Sequence, residues 1–296
     1  MIKYQILLLN SLEVKRLIRK AFEKLGYFIV KLPAEMRGRE NNFDLVMSEF
    51  NKKNLKFRTI NDSAKDYPIV KNNTMVPFDN LASLYEQVHY VETSGIMGDF
   101  VECGVWKGGS VGLMALANLR FGKNRRHLHL FDAFQDICEP DPLVDGEKAL
   151  KEANHYANKD ITSISGKLQP MKGFYDFLGG HGTIEECKTL LFDKINYPRE
   201  YVHFYEGWFQ DTFPVHAKEI NQIALLRLDG DWYESTKLSL EYFYDKVIPG
   251  GIIIIDDYGT YQGCKKATDE FFQKNNVKKF LINASSLNSD CFFVIK

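Results

Sequence analysis

Two short acidic runs close apolar stretches of the chain: Leu228-Asp229-Gly230-Asp231-Trp232-Tyr233 and Ile254-Ile255-Asp256-Asp257-Tyr258-Gly259. If the stretches are neighbouring strands, Asp229, Asp256 and Asp257 converge, and three carboxylates with no Lys between them repel unless a cation sits among them. Hard oxygen donors select Mg²⁺, Mn²⁺ or Ca²⁺ over Zn²⁺. Mg²⁺ (or Mn²⁺) is the first expectation, because Mg²⁺ keeps water or substrate oxygens in its remaining octahedral positions. The plainer reading is that Asp256 and Asp257 shape a turn and Asp229 caps a helix. Recurrence of the motif at two equivalent strand ends favours the metal. Asp231 lies two residues beyond Asp229 and falls on the same side if strand geometry persists. There it is a candidate general base for a substrate hydroxyl, close to the cation but outside its ligand set. Among the histidines, His203 lies in an apolar stretch and reads as a core residue, whereas His181, in Gly179-Gly180-His181-Gly182, is an alternative base on a loop.

A second constellation begins at Gly98. Asp99-Phe100-Val101-Glu102-Cys103-Gly104-Val105-Trp106-Lys107-Gly108-Gly109-Ser110 runs from a strand through a glycine turn into an apolar helix, Val111 to Leu119. The topology suits a nucleotide, but Trp106 stands where a dinucleotide fingerprint needs a second glycine, so a pyrophosphate is not expected. Asp132 ends the next strand, where an acid accepts hydrogen bonds from both ribose hydroxyls; a helix cap is the simpler alternative. Glu206-Gly207-Trp208 offers a polar group and an aromatic wall suited to bordering an adenine, unless Trp208 is core.

These residues need a frame. Apolar runs Asp99 to Cys103, His127 to Asp132, Tyr201 to Glu206, Ile223 to Asp229 and Gly251 to Asp256 alternate with amphipathic segments, the pattern of parallel strands joined by crossover helices. Phe280 to Ile282 and Cys291 to Ile295 are too close for a crossover and predict an antiparallel hairpin. The fold class is therefore α/β, a doubly wound, mostly parallel sheet, with its ligands at the carboxyl ends of the strands. Upstream, Glu13 to Leu25 predicts a helix, Pro33 to Asp66 reads as an irregular connection, and the catalytic fold is expected after Pro68. This divides the chain into an extension, 1–66, and a catalytic domain, 67–296.

The 296 residues are 45 % hydrophobic and 26 % charged, as in an ordinary globular protein, and the formal net charge of -1 makes no electrostatic case for nucleic acid. No apolar run approaches a membrane span, and no signal sequence is evident, so a cytoplasmic location is expected. Five scattered cysteines argue against disulfides and zinc.

Taken together, Thr74-Met75-Val76, Val101 to Ser110, Phe131-Asp132, Gly207-Trp208-Phe209-Gln210-Asp211-Thr212, Leu228 to Asp231 and Ile255 to Gly259 resemble the macrocin O-methyltransferases, the TylF family, which methylate sugar hydroxyls of antibiotics and related glycosides. The resemblance runs from about Asn73 to the C-terminus. It implies a Rossmann-like class I methyltransferase, S-adenosylmethionine (SAM) as donor, Mg²⁺ at Asp229, Asp256 and Asp257, and Asp231 as base. Within the glycine turn that contains Gly108, it implies that Glu102, Gly104 and Ser110 line the methionine end of SAM, with Asp132 at the ribose and Met75 at the approach to the sulfonium. A homodimer or larger assembly is implied, in which the N-terminal segment helps cover the site. Residues 133–183 depart from the family as a longer lid, in which Thr183 and Glu186 read as a capping box. The expected acceptor is a hydroxyl of a sugar or glycosylated natural product. Alternatives are a polyketide, peptide or catechol-like hydroxyl and, more remotely, a nicotinamide-dependent sugar oxidoreductase or epimerase, or a non-catalytic scaffold.

Overall fold

The computed structural model describes residues 59–156, 168–278, 281–284 and 290–296. The predicted helix Glu13 to Leu25 and most of the N-terminal extension lie outside these residues. Seven strands form one sheet in the order β3-β2-β1-β4-β5-β7-β6: β1 Asp99–Cys103, β2 Leu128–Asp132, β3 Val202–Glu206, β4 Ile223–Leu228, β5 Val247–Ile255, β6 Ile282–Asn283 and β7 Phe292–Ile295. The first five pair in parallel. β7 runs antiparallel to both β5 and β6, as the closing hairpin predicts.

The apolar character of β4 and β5 follows from their central place. Every residue of β4 is buried, because helices cover both faces of a parallel sheet and leave no polar side. Alternate residues feed two cores. Phe100, Leu225 and Ile252 pack with α1 (Ile60–Val70), α2 (Phe78–Thr93) and α3 (Gly109–Phe121). Val101, Leu226 and Ile253 pack on the other face with α6 (Phe209–His216), α7 (Tyr233–Phe243) and α8 (Gln262–Lys274). Among the described residues, the two remaining α-helices, α4 (Gly146–Tyr156) and α5 (Ile184–Lys188), belong to the connection between β2 and β3. Among the described residues, no helix is long and apolar enough to cross a membrane.

The region expected to be an irregular connection up to Asp66 instead ends in α1, which continues through Pro68. The polarity of this segment is misleading, because Ser63 and Asp66 are buried with its apolar residues. Asp66 accepts from the Tyr85 hydroxyl at 2.5 Å and from Arg120 at 2.8 and 3.0 Å, so the helix docks through an ion pair as well as through Ile60, Tyr67 and Val70.

Candidate active site

The hydrogen-bond ladder continues past the strand ends and registers each chemistry-bearing turn on its neighbour. Gly104 N–H donates to the Phe131 carbonyl, Gly207 N–H to Asp132, Asp229 N–H to Cys103 and Asp256 N–H to Leu228, at 2.8–3.0 Å. Consequently the glycine turn and both acidic motifs share one edge of the sheet. A Cβ on Gly104, whose φ is +89°, would lie 1.7 Å from the Asp229 carbonyl oxygen, so only glycine permits this approach.

Three carboxylate oxygens, one each from Asp229, Asp256 and Asp257, lie within 4.8 Å of one another. As an all-oxygen set, this fits a hard divalent cation. Asp231 joins the cluster by a different route from strand alternation. β4 ends at Leu228, and Asp231 occupies a left-handed turn with φ +62°. There its N–H donates to Asp257 Oδ2 at 3.3 Å. Burial, reinforced by Asp229 and Asp256, raises its carboxyl well above the usual range. Asp257 is raised likewise, by burial and then by Asp231 and Asp229. The acidic end of the site is thus crowded with negative charge.

The sequence reading overlooked one residue here, Arg227. Its guanidinium stands between the carboxylates, with Nη1 2.6 Å from both Asp229 Oδ2 and Glu102 Oε1, and Nη2 2.8 Å from Asp256 Oδ1. The expectation that nothing but an added cation offsets the acids is therefore corrected. A charge inside Ile223-Ala224-Leu225-Leu226-Arg227-Leu228 was the available signal, since a fully buried Arg is rare unless paired. Burial pushes Glu102 up to about 8 against the lowering effect of Arg227, and Asp256 rises to about 6 for the same reason.

Asp132 anchors the glycine turn. Its Oδ2 accepts from Val105 N–H at 2.6 Å and Trp106 N–H at 2.9 Å, and its Oδ1 accepts from Phe134 N–H at 2.6 Å. With about four acceptor positions on a carboxylate, room remains for another donor. These bonds hold Trp106 in a left-handed conformation, φ +49°. Gly207 sits against Asp132 through the ladder, and Trp208 follows as the N-cap residue of α6. Gly108, at φ +83°, starts α3, and Ser110 is buried in its first turn. Thr74 packs on Gly109, leaving the neighbouring Met75 46 % exposed at the rim. His181 is solvent-exposed, and among the described residues no hydrogen bond joins it to the acids.

The connection after β2 accepts bonds from both turns: Lys107 Nζ donates to the Leu178 and Gly179 carbonyls at 3.2 and 3.4 Å, and Trp232 Nε1 donates to the Cys138 carbonyl at 2.9 Å. Asp145 caps α7 by accepting from Tyr233 N–H at 2.7 Å. The expected capping box forms between Thr183 and Glu186. The lid is therefore tied to both the glycine turn and the Asp231 turn.

Comparison with known families gives this arrangement its relatives. The model of the family described as Macrocin-O-methyltransferase (TylF) matches residues 32–172 and 185–290. The chain belongs to this family. The match starts well before Asn73, and its internal break, 173–184, falls within the expected lid of residues 133–183. This methyltransferase is 31 % identical over 223 residues to demethyldecarbamoylnovobiocin O-methyltransferase of Streptomyces niveus, which covers 75 % of this chain and 76 % of that protein. It is also 31 % identical over 207 residues, 70 % of each chain, to 8-demethyl-8-(2,3-dimethoxy-alpha-L-rhamnosyl)-tetracenomycin-C 4'-O-methyltransferase of Streptomyces olivaceus. Among solved structures, the O-methyltransferase NovP aligns with TM-score 0.60 and 28 % identity over 76 % of this chain and 82 % of that one. The macrocin-type protein is thus a SAM-dependent O-methyltransferase with the class I fold, which removes the oxidoreductase and scaffold alternatives.

Proposed function

We propose that the protein is a divalent-metal-dependent O-methyltransferase acting on a hydroxyl of a sugar within a glycosylated natural product. The observation that carries the metal is the convergence of Asp229, Asp256 and Asp257 within 4.8 Å beside the glycine turn. The sugar is supported by the curated relatives, one of whose names carries a rhamnosyl group.

In this reading Asp229, Asp256 and Asp257 hold Mg²⁺ or Mn²⁺, which supplies Lewis acidity that makes an acceptor hydroxyl easier to deprotonate. Glu102, Gly104, Gly108 and Ser110 line the methionine end of SAM, Asp132 takes the ribose, Gly207 and Trp208 border the adenine, and Met75 faces the sulfonium. Asp231 takes the hydroxyl proton. With SAM bound, the acceptor oxygen would attack the methyl carbon, the carbon–sulfur bond would break with its electron pair going to sulfur, and S-adenosylhomocysteine would leave. The protein's share is to hold oxygen and methyl group within van der Waals reach and to exclude water beneath the lid. His181 is the lesser candidate for the base, since it is exposed. The segment before α1 is proposed to cover the site in a homodimer or larger assembly.

The test is turnover of labelled SAM with a panel of glycosides and catechols, before and after excess chelator. Chelation is expected to abolish methyl transfer, and Mg²⁺ to restore it. Turnover undiminished by chelator overturns the metal, and a preference for catechols over every glycoside overturns the sugar.

A further inference from the structure

Behind the carboxylates, Arg227 meets a second set of polar groups. A cavity of about 10 Å3 is lined by Asn80, Gln87, Arg227 and Asp256, together with apolar residues of α2 and β5. Asn80 Oδ1, Gln87 Oε1 and Arg227 Nη2 are all buried there without a hydrogen-bond partner. Nη2 is only 2.8 Å from Asp256 Oδ1, but its hydrogens do not point along that line, so the contact is ionic. The volume is about that of one water, which needs two to four polar partners. One water accepting from Nη2 and donating its two hydrogens to Asn80 Oδ1 and Gln87 Oε1 would satisfy all three atoms.

We propose that Arg227 is the positioning residue of the acidic end of the site, held by Glu102 and by one buried water shared with Asn80 and Gln87, and that it fixes Asp229 and Asp256 for the cation. The proposal rests on the metal reading above. One planar guanidinium contacts one oxygen of Asp229 and one of Asp256, which restrains both carboxylates. A lysine carries the same charge on a single nitrogen and cannot span three carboxylates in fixed directions. Arg227 therefore acts through geometry rather than net charge. Asn80 and Gln87 lie on α2, the helix that follows the Met75 rim, so α2 takes part in setting the metal ligands without touching them.

The experiment is a Mn²⁺ titration of the full chain without SAM or acceptor, read by the electron paramagnetic resonance of free and bound Mn²⁺. It is paired with thermal unfolding in chelator. R227K keeps the charge, so its Mn²⁺ Kd is expected to weaken at least about tenfold, as for other groups that orient metal ligands, with an altered spectrum of the bound ion. The double variant N80L/Q87M, which replaces no ligand, is expected to weaken Kd in the same direction while folding normally. Wild-type affinity and spectrum in R227K overturn the proposal. If R227K does not fold, the double variant decides, and an unchanged Kd there overturns it. A wild-type chain that binds no Mn²⁺ overturns the metal reading and this inference with it, an outcome separate from variants that match a binding wild type.

Discussion

Asp231 owes its place to backbone conformation. A non-glycine residue at φ +62° is uncommon, and the turn directs its N–H at Asp257 while burying its carboxyl among the other acids. If it is the base, Asp231→Asn removes the proton acceptor with little change of shape. The expected result is a loss of about 10²–10⁴ in kcat, with the dissociation constant of SAM in a calorimetric titration held near that of wild type. A variant retaining full turnover assigns the proton elsewhere. The acids themselves were legible in the sequence because strand-ending carboxylates are short-range signals. Arg227 was not read, because its meaning depends on Glu102 in β1 and Asp256 after β5, partners that only the sheet order brings to it.

Among the elements, the sheet was the most readable and α1 the least. β1 matches its expected bounds and β2, β3 and β4 differ by a residue at one end, since buried parallel strands announce themselves as continuous apolar runs. β5 starts four residues early, at Val247, because Pro249 and Gly250 look like a turn. α1 was hidden by polar residues whose partners, Tyr85 and Arg120, lie in α2 and α3. A different polar cluster crosses β1, β2 and β3: His127 Nδ1 lies 2.8 Å from His203 Nε2, and His129 bridges Asp99 and Tyr205. Burial, then His129 and His127, hold His203 below the usual 6.5, while Asp99 and Glu219 act in the opposite direction. The folded state thus takes up this proton less readily than the unfolded chain, so stability rises with pH. Its contribution is complete above about 6.5 and is lost as pH falls below it toward the lowered folded value. Melting temperatures between pH 8 and pH 5 should decline on the acid side, and H203N should flatten that decline. An equal slope in the variant removes His203 as the cause.

At the scale of the molecule, the rigid frame and the variable cover are separable. The family match breaks only at 173–184, a stretch that contains Leu178 and Gly179, bonded to Lys107, and reaches the start of α5. This is where acceptor choice is expected to reside, because loops over a fixed scaffold select ligands. The ladder bonds that register Gly104, Gly207, Asp229 and Asp256 on neighbouring strands carry a consequence in time. These amides cannot open to solvent unless the central sheet opens with them, so in native-state exchange they belong to the slowest class, alongside the amides of β4. Backbone amides of the lid open locally and exchange early. Deuterium uptake followed by mass spectrometry should separate the two sets, and early exchange at Asp229 and Asp256 contradicts this picture. The site then exists only when the whole sheet does, so no partly unfolded form can bind the donor halfway, and acceptors come and go over a frame that does not breathe with them.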